Sequence, residues 1–173
     1  MDRSINKLAM AAVLTAVMCV LAPFSIPIGP VSITLGVFCV FLTALILPGY
    51  YSLLSVLAYV GLALLGLPVC SGFAGGPAAV FGPTGGYILG YSFIAFFTSL
   101  GARSQRLPVT ALCMAAGLLL CYALGTGWFM FLTRRDLAIS LALCVWPFIP
   151  VDLAKGACAL VFQRLLKNRL VLR

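Results

Sequence analysis

The chain has no histidine, and its acids are three aspartates, Asp2, Asp136 and Asp152, against 11 lysines and arginines. That scarcity excludes most acid–base chemistry. General acid–base catalysis needs a positioned pair of titratable groups, and isolated carboxylates without an imidazole supply no convincing one. An intramembrane enzyme is therefore a poor reading. Zinc centres draw on cysteine and histidine, yet the seven cysteines (Cys19, Cys39, Cys70, Cys113, Cys121, Cys144 and Cys158) include no Cys-x-x-Cys pair. They read as small apolar fillers, without a disulfide or a metal, and Cys70, in a connection between apolar runs, is the one expected to be exposed. A Gly-x-x-x-x-Gly-Lys-Ser/Thr phosphate loop is also missing. ATP chemistry has no place in this chain.

Charge of any kind is rare. Only 8% of residues are charged while 64% are hydrophobic, with a mean hydropathy of +1.20. These values describe an integral membrane protein rather than a soluble domain. The 173 residues accommodate about six spans at the ~20 residues each requires. The expected fold is all-α, one six-helix transmembrane bundle forming a single domain over residues 1–173.

Apolar runs lie at Ile5 to Pro23, Val31 to Leu47, Tyr50 to Leu67, Thr84 to Leu100, Val109 to Thr126 and Phe148 to Leu166. Glycine and proline punctuate them at 23–30, 48–49, 68–83, 103–108 and 127–147. Within the last break, Leu137 to Trp146 is apolar but too short to cross, and reads as an interfacial or re-entrant segment. Pro147 and Pro150 suit the first turn of the final helix, where a missing N–H costs nothing. A start at Leu137 instead would bring the middle of that helix to Asp152.

With six spans, Arg3, Lys7, Arg103, Arg106, Arg164, Lys167, Arg169 and Arg173 collect on one side and Arg134 and Arg135 on the other. The positive-inside rule then puts both termini in the cytoplasm and the Gly-rich connections outside. The net charge of +8 thus reflects topology and anionic lipid contact, not nucleic-acid binding. Arg3 and Lys7 ahead of Leu8 to Leu21 also suit a signal peptide. Cleavage would leave an odd number of spans, so this segment is read as the first transmembrane helix.

Three features remain. Asp152 and Lys155 are opposite charges three residues apart, on one helix face. Charge at membrane depth is costly and faces a partner, a cavity or a ligand, so the pair is either a seal within the bundle or part of a site. Ala9, Ala12 and Ala16 share one face of the first helix, the spacing that permits close helix approach, within the bundle or with a partner. The stretch Gly72 to Tyr87 is the densest in glycine. It is either a simple turn or a segment where Gly75, Gly85 and Gly86 bring backbone N–H groups to a ligand, with Thr84 as the N-cap of the helix that follows.

The motifs Gly66-Leu67-Pro68-Val69, Gly82-Pro83-Thr84-Gly85-Gly86-Tyr87 and Pro150-Val151-Asp152-Leu153-Ala154-Lys155 resemble those of the BioY family of biotin transporters. Those proteins are substrate-binding S components of energy-coupling factor (ECF) transporters. Pro27 to Leu35 is similar to the family's first external connection, although Ser32 stands where proline is common and Gly36 where glutamine is common. The resemblance covers nearly the whole chain.

That resemblance implies a non-enzymatic, multi-pass subunit in the cell membrane of a prokaryote, one that captures biotin with high affinity for uptake and needs no cofactor. Asp152 and Lys155 would meet the ureido group, the carboxylate accepting and the ammonium donating. Aromatic walls are expected from Phe73, Tyr87, Trp128 and Trp146 at outer helix ends, where a membrane-interface belt is the ordinary alternative. A membrane coupling protein and a pair of ATPases would supply energy, docking on the Ala12 and Ala16 face. An S component for another vitamin and a non-transport membrane scaffold are the competing readings.

Overall fold

The computed structural model describes residues 3–167, with side chains over 4–166; Asp2, Arg169 and Arg173 from the charge count above lie outside the described residues. The first helix, α1 (Arg3–Leu21), ends just before Pro23, which disfavours helical geometry in the residue preceding it. A short hairpin follows: β1 (Ser25–Pro27) pairs antiparallel with β2 (Ser32–Thr34), with Ile26 opposite Ile33. Then come α2 (Gly36–Ile46) and α3 (Tyr50–Leu64). The second apolar run is therefore not helical from its start. Ser32, Ile33 and Thr34 pair with β1, and Thr34 Oγ1 accepts from the Gly36 N–H where α2 opens.

The Gly-rich stretch holds a single 3-10 turn at Ser71–Phe73 and the one-turn helix α4 (Pro77–Val80). Next are α5 (Gly85–Arg103), α6 (Leu107–Thr133), α7 (Leu137–Cys144) and α8 (Phe148–Lys167). Thr84 occupies the N-cap position of α5 but makes no side-chain cap. Its near-helical φ/ψ of −91°/−2° departs from the extended backbone from which a hydroxyl reaches back to the first-turn N–H groups.

Helix α6 runs through Gly127 and Trp128 instead of stopping at Thr126. A glycine within a helix costs only about 1 kcal/mol relative to alanine. Tertiary contacts of its neighbours offset this: Phe129 is buried and the Trp128 indole is hydrogen-bonded to a loop carbonyl.

Helices α1, α5 and α6 are long and apolar enough to cross a membrane. Helices α7 and α8 pass the same test together, bent by 42° at their junction. The short α7 is thus a separate piece ahead of α8, and α8 begins at Phe148, which places Asp152 and Lys155 in its opening turns. Helices α2 and α3 are shorter but equally apolar in character. The described residues are mostly helical.

The most extensive helix pair is α5 with α6. Glycine permits it: a Cβ on Gly90 would fall 2.7 Å from Cys121 Sγ, and one on Gly117 3.0 Å from the Ile94 Cα. Helix α8 packs mainly on α2, and α1 mainly on α3. The α1–α3 contact carries buried hydroxyls, Thr15 Oγ1 lying 2.8 Å from Ser55 Oγ and donating to the Ala11 carbonyl. Along α1 the buried face is Ala11, Leu14, Thr15 and Met18, whereas Ala9, Ala12 and Ala16 are exposed. The alanine face is not used in packing within the chain.

Lys7 lies over the Tyr51 ring, 5.9 Å from its centroid, and the Arg103 guanidinium sits against Gly49. The start of α1, the α2–α3 turn and the end of α5 therefore share one end of the bundle. The hairpin, the Gly-rich segment and the start of α8 surround a cavity elsewhere in it.

Candidate binding site

A cavity of about 290 Å³ is lined by residues of α2, α3, α5, α6, α7 and α8, the hairpin and the Gly-rich segment. Its size and largely apolar wall suit one small molecule. The polar end is built on α8. Because this helix starts at Phe148, Asp152 and Lys155 fall one turn apart facing inward, and Lys155 Nζ donates to Asp152 Oδ1 at 2.7 Å. The Lys155 side chain is only 10% exposed and that of Asp152 3%. The phenol of Tyr122, from α6, donates to the other carboxylate oxygen, Oδ2, at 2.8 Å. Both oxygens of the buried acid are thus held, as a carboxylate removed from water requires.

The walls are tyrosine. Tyr59, Tyr87, Tyr91 and Tyr122 all line the cavity and are all buried. Several of their hydroxyls are tied back into the protein. Tyr59 donates to the Val69 carbonyl at 2.9 Å, and the Tyr87 hydroxyl lies 3.0 Å from Thr126 Oγ1. The Tyr91 hydroxyl occupies the space a side chain on Gly36 would need. With those groups satisfied, ring surface is left for an apolar body.

Of the residues singled out in the sequence, Asp152, Lys155, Tyr87 and Thr84 line the cavity. Phe73 does not; it is 59% exposed, its ring edge-on to Phe24 at 5.6 Å between centroids. Trp128 stands behind the wall. Its indole N–H donates to the Gly82 carbonyl at 3.0 Å, and Gly82 itself faces the cavity. Trp146 is exposed.

Gly75, Gly85 and Gly86 also lie outside the lining, each where a side chain would strike packed atoms. Gly75 abuts the Leu67 carbonyl, Gly85 the Val80 carbonyl, and Gly86 the Trp128 side chain. These glycines let the loop fold against the segment that follows α3, against α4 and against α6. Cys70 is buried and lines the cavity, contrary to the exposure expected of a loop cysteine. Burial pushes its thiol above the ordinary range, partly opposed by a hydrogen bond with Tyr59.

Sequence reasoning missed Tyr59, Tyr91 and Tyr122. A signal was present, because each falls inside an apolar run rather than at its end. A hydroxyl there must find a partner, and Tyr91 follows Tyr87 by four residues on the same helix face. Ser32 and Thr34 of the hairpin were likewise missed, and both line the cavity.

The model of the BioY family matches residues 1–171. The chain belongs to the BioY family. A probable biotin transporter BioY from Pyrococcus horikoshii is 38% identical over 163 residues, covering 94% of this chain and 97% of that protein. The biotin transporter BioY from Thermotoga maritima is 39% identical, covering 94% and 96%. A crystal structure of the S component for biotin from an ECF-type ABC transporter superposes with a TM-score of 0.88 at 29% identity, over 97% of this chain and 95% of that one. The chain shares sequence with both of these relatives, and architecture with that structure, along nearly its full length.

Proposed function

We propose that this chain is the membrane-embedded S component that captures biotin for an ECF-type transporter. The observation that carries the reading is the buried Asp152–Lys155 pair at the polar end of a tyrosine-walled cavity, in a chain whose relatives are named biotin transporters. A ureido ring is a flat group with two N–H donors and one carbonyl acceptor. An ionised carboxylate with lone pairs to spare meets one of the diverging donors, and an ammonium with two unused N–H groups meets the acceptor. The tyrosine rings cover the fused apolar ring, and the remaining cavity takes the aliphatic chain. Phe73, Gly75, Gly85, Gly86 and Trp128 act on the ligand by shaping and backing the Gly-rich segment.

Six crossings follow if α2 and α3 each span and α7–α8 form one broken span. Both termini are then cytoplasmic and the Gly-rich connections external, in the cell membrane of a prokaryote. Energy comes from a transmembrane coupling protein and its ATPase pair, which meet the exposed Ala12 and Ala16 face of α1. Nucleic acid and a cofactor have no role.

Mass spectrometry of small molecules released from the purified chain, followed by rebinding against a panel of vitamins, tests this reading. Retention and selective rebinding of biotin support it. Selective rebinding of a different vitamin overturns the substrate assignment.

A further inference from the structure

We infer that Tyr122 is the positioning residue of this cavity: its phenolic O–H fixes the Asp152 carboxylate so that a remaining lone pair faces a ureido N–H. The inference rests on the biotin reading above and says how the site is held in register.

The two donors on Asp152 are not equivalent. Lys155 lies on α8 itself, three residues along, so it follows any rotation of that helix and cannot fix the acid relative to the bundle. Tyr122 comes from α6, thirty positions away in the chain, and α6 is locked against α5 by the glycine contacts described above. The phenol therefore references the carboxylate to the opposite wall of the cavity.

Lone-pair arithmetic agrees. A carboxylate offers about four acceptor sites. Tyr122 takes one on Oδ2 and Lys155 takes one on Oδ1, which leaves each oxygen able to accept once more. The two N–H bonds of a cyclic ureido group diverge, so one carboxylate meets one of them, and a free acceptor direction on an oxygen already held in place is what that N–H requires. If Tyr122 were absent, the carboxylate could turn about its side-chain torsions to follow the ammonium, and that direction would be lost.

The hydroxyl has no packing reason to be there. Phenylalanine would fill the same space without burying an O–H, a group that costs free energy unless bonded. Sequence reading found the acid and the lysine but not this third member, because nothing local relates position 122 to position 152.

The test is displacement of labelled biotin from the detergent-solubilised chain, wild type and Tyr122→Phe. The competitors are biotin and a derivative methylated on both ureido nitrogens. Loss of one hydrogen bond to a charged group weakens Tyr122→Phe for biotin about tenfold. The methylated derivative has no N–H for the positioned carboxylate, so its affinities for the two proteins agree within about twofold. The unliganded melting temperature is measured alongside. Equal losses for both ligands, or unchanged biotin affinity, overturn the inference and make the phenol a structural tie. Absence of biotin binding by folded wild type is a different result, which overturns the substrate reading and this inference with it. Where Tyr122→Phe fails to fold, Asp152→Glu moves the carboxylate off its phenol by one methylene and must show the same dependence on ligand N–H groups.

Discussion

The indole N–H of Trp128, near the end of α6, donates to the carbonyl of Gly82 in the Gly-rich segment at 3.0 Å. This bond reaches across 46 residues of sequence and ties a cavity-lining loop to the helix behind it. Trp128→Phe keeps the ring and deletes the donor. The variant is expected to lose about 1 kcal/mol at the latch and to release labelled biotin several-fold faster, with little change in helical content. A release rate equal to wild type shows that the latch does not restrain the loop.

Removing Lys155 alone leaves a buried carboxylate short of its cation, and breaking such a pair costs about 3–5 kcal/mol. Lys155→Met therefore lowers the unfolding temperature markedly. In Asp152→Asn/Lys155→Met the charge problem is removed on both sides, so most of the stability returns while biotin binding does not. Thermal unfolding and ligand titration on the three variants separate the two effects. Recovery of binding in the double variant contradicts the site assignment.

How much of this was legible in the sequence follows from what each feature depends on. Asp152 and Lys155 stood out because charge inside an apolar run has few explanations, and their one-turn spacing is a local property. The break ahead of α8 was legible for the same reason, as Pro147 and Pro150 act on their own backbone. Tyr122 was not, because its role depends on the register between α6 and α8, which no local pattern encodes. The glycines at 75, 85 and 86 have a packing role that the sequence does not specify. Glycine signals close approach, but not what approaches; here the Leu67 and Val80 carbonyls and the Trp128 side chain do. Trp128 was placed in a loop because Gly127 reads as a helix stop, and the tertiary contacts that carry α6 past it are invisible to propensity.

Cys70 gives a chemical check on the Gly-rich segment. Burial raises its thiol pKa, so at any pH near neutrality less of it is thiolate, the reactive form, than in a free cysteine. Maleimide labelling mapped by mass spectrometry should leave Cys70 unmodified at neutral pH. The rate should climb only as the pH passes above the ordinary thiol range, and the residue should react fully once the chain is unfolded. Rapid labelling of the folded protein at neutral pH indicates an open loop and an exposed thiol.

The exposed alanine face of α1 tests partner docking separately from ligand capture. Substituting Ala12 and Ala16 with large residues blocks the close helix approach that small side chains permit. The double variant should bind biotin as wild type does yet fail to co-purify with a coupling protein and its ATPases. Co-purification of an intact complex sinks this role for the face.

The central claim is that the Asp152–Lys155 end of the cavity holds biotin. Calorimetric titration of biotin into the purified, detergent-solubilised chain, run beside Asp152→Asn and Lys155→Ala, tests it most directly. The account predicts tight binding of one biotin per chain in the wild type and a loss of at least about 100-fold in either variant, the scale of breaking a buried charged contact. A folded wild type that does not bind biotin, or variants that bind it as tightly as wild type, contradicts the account.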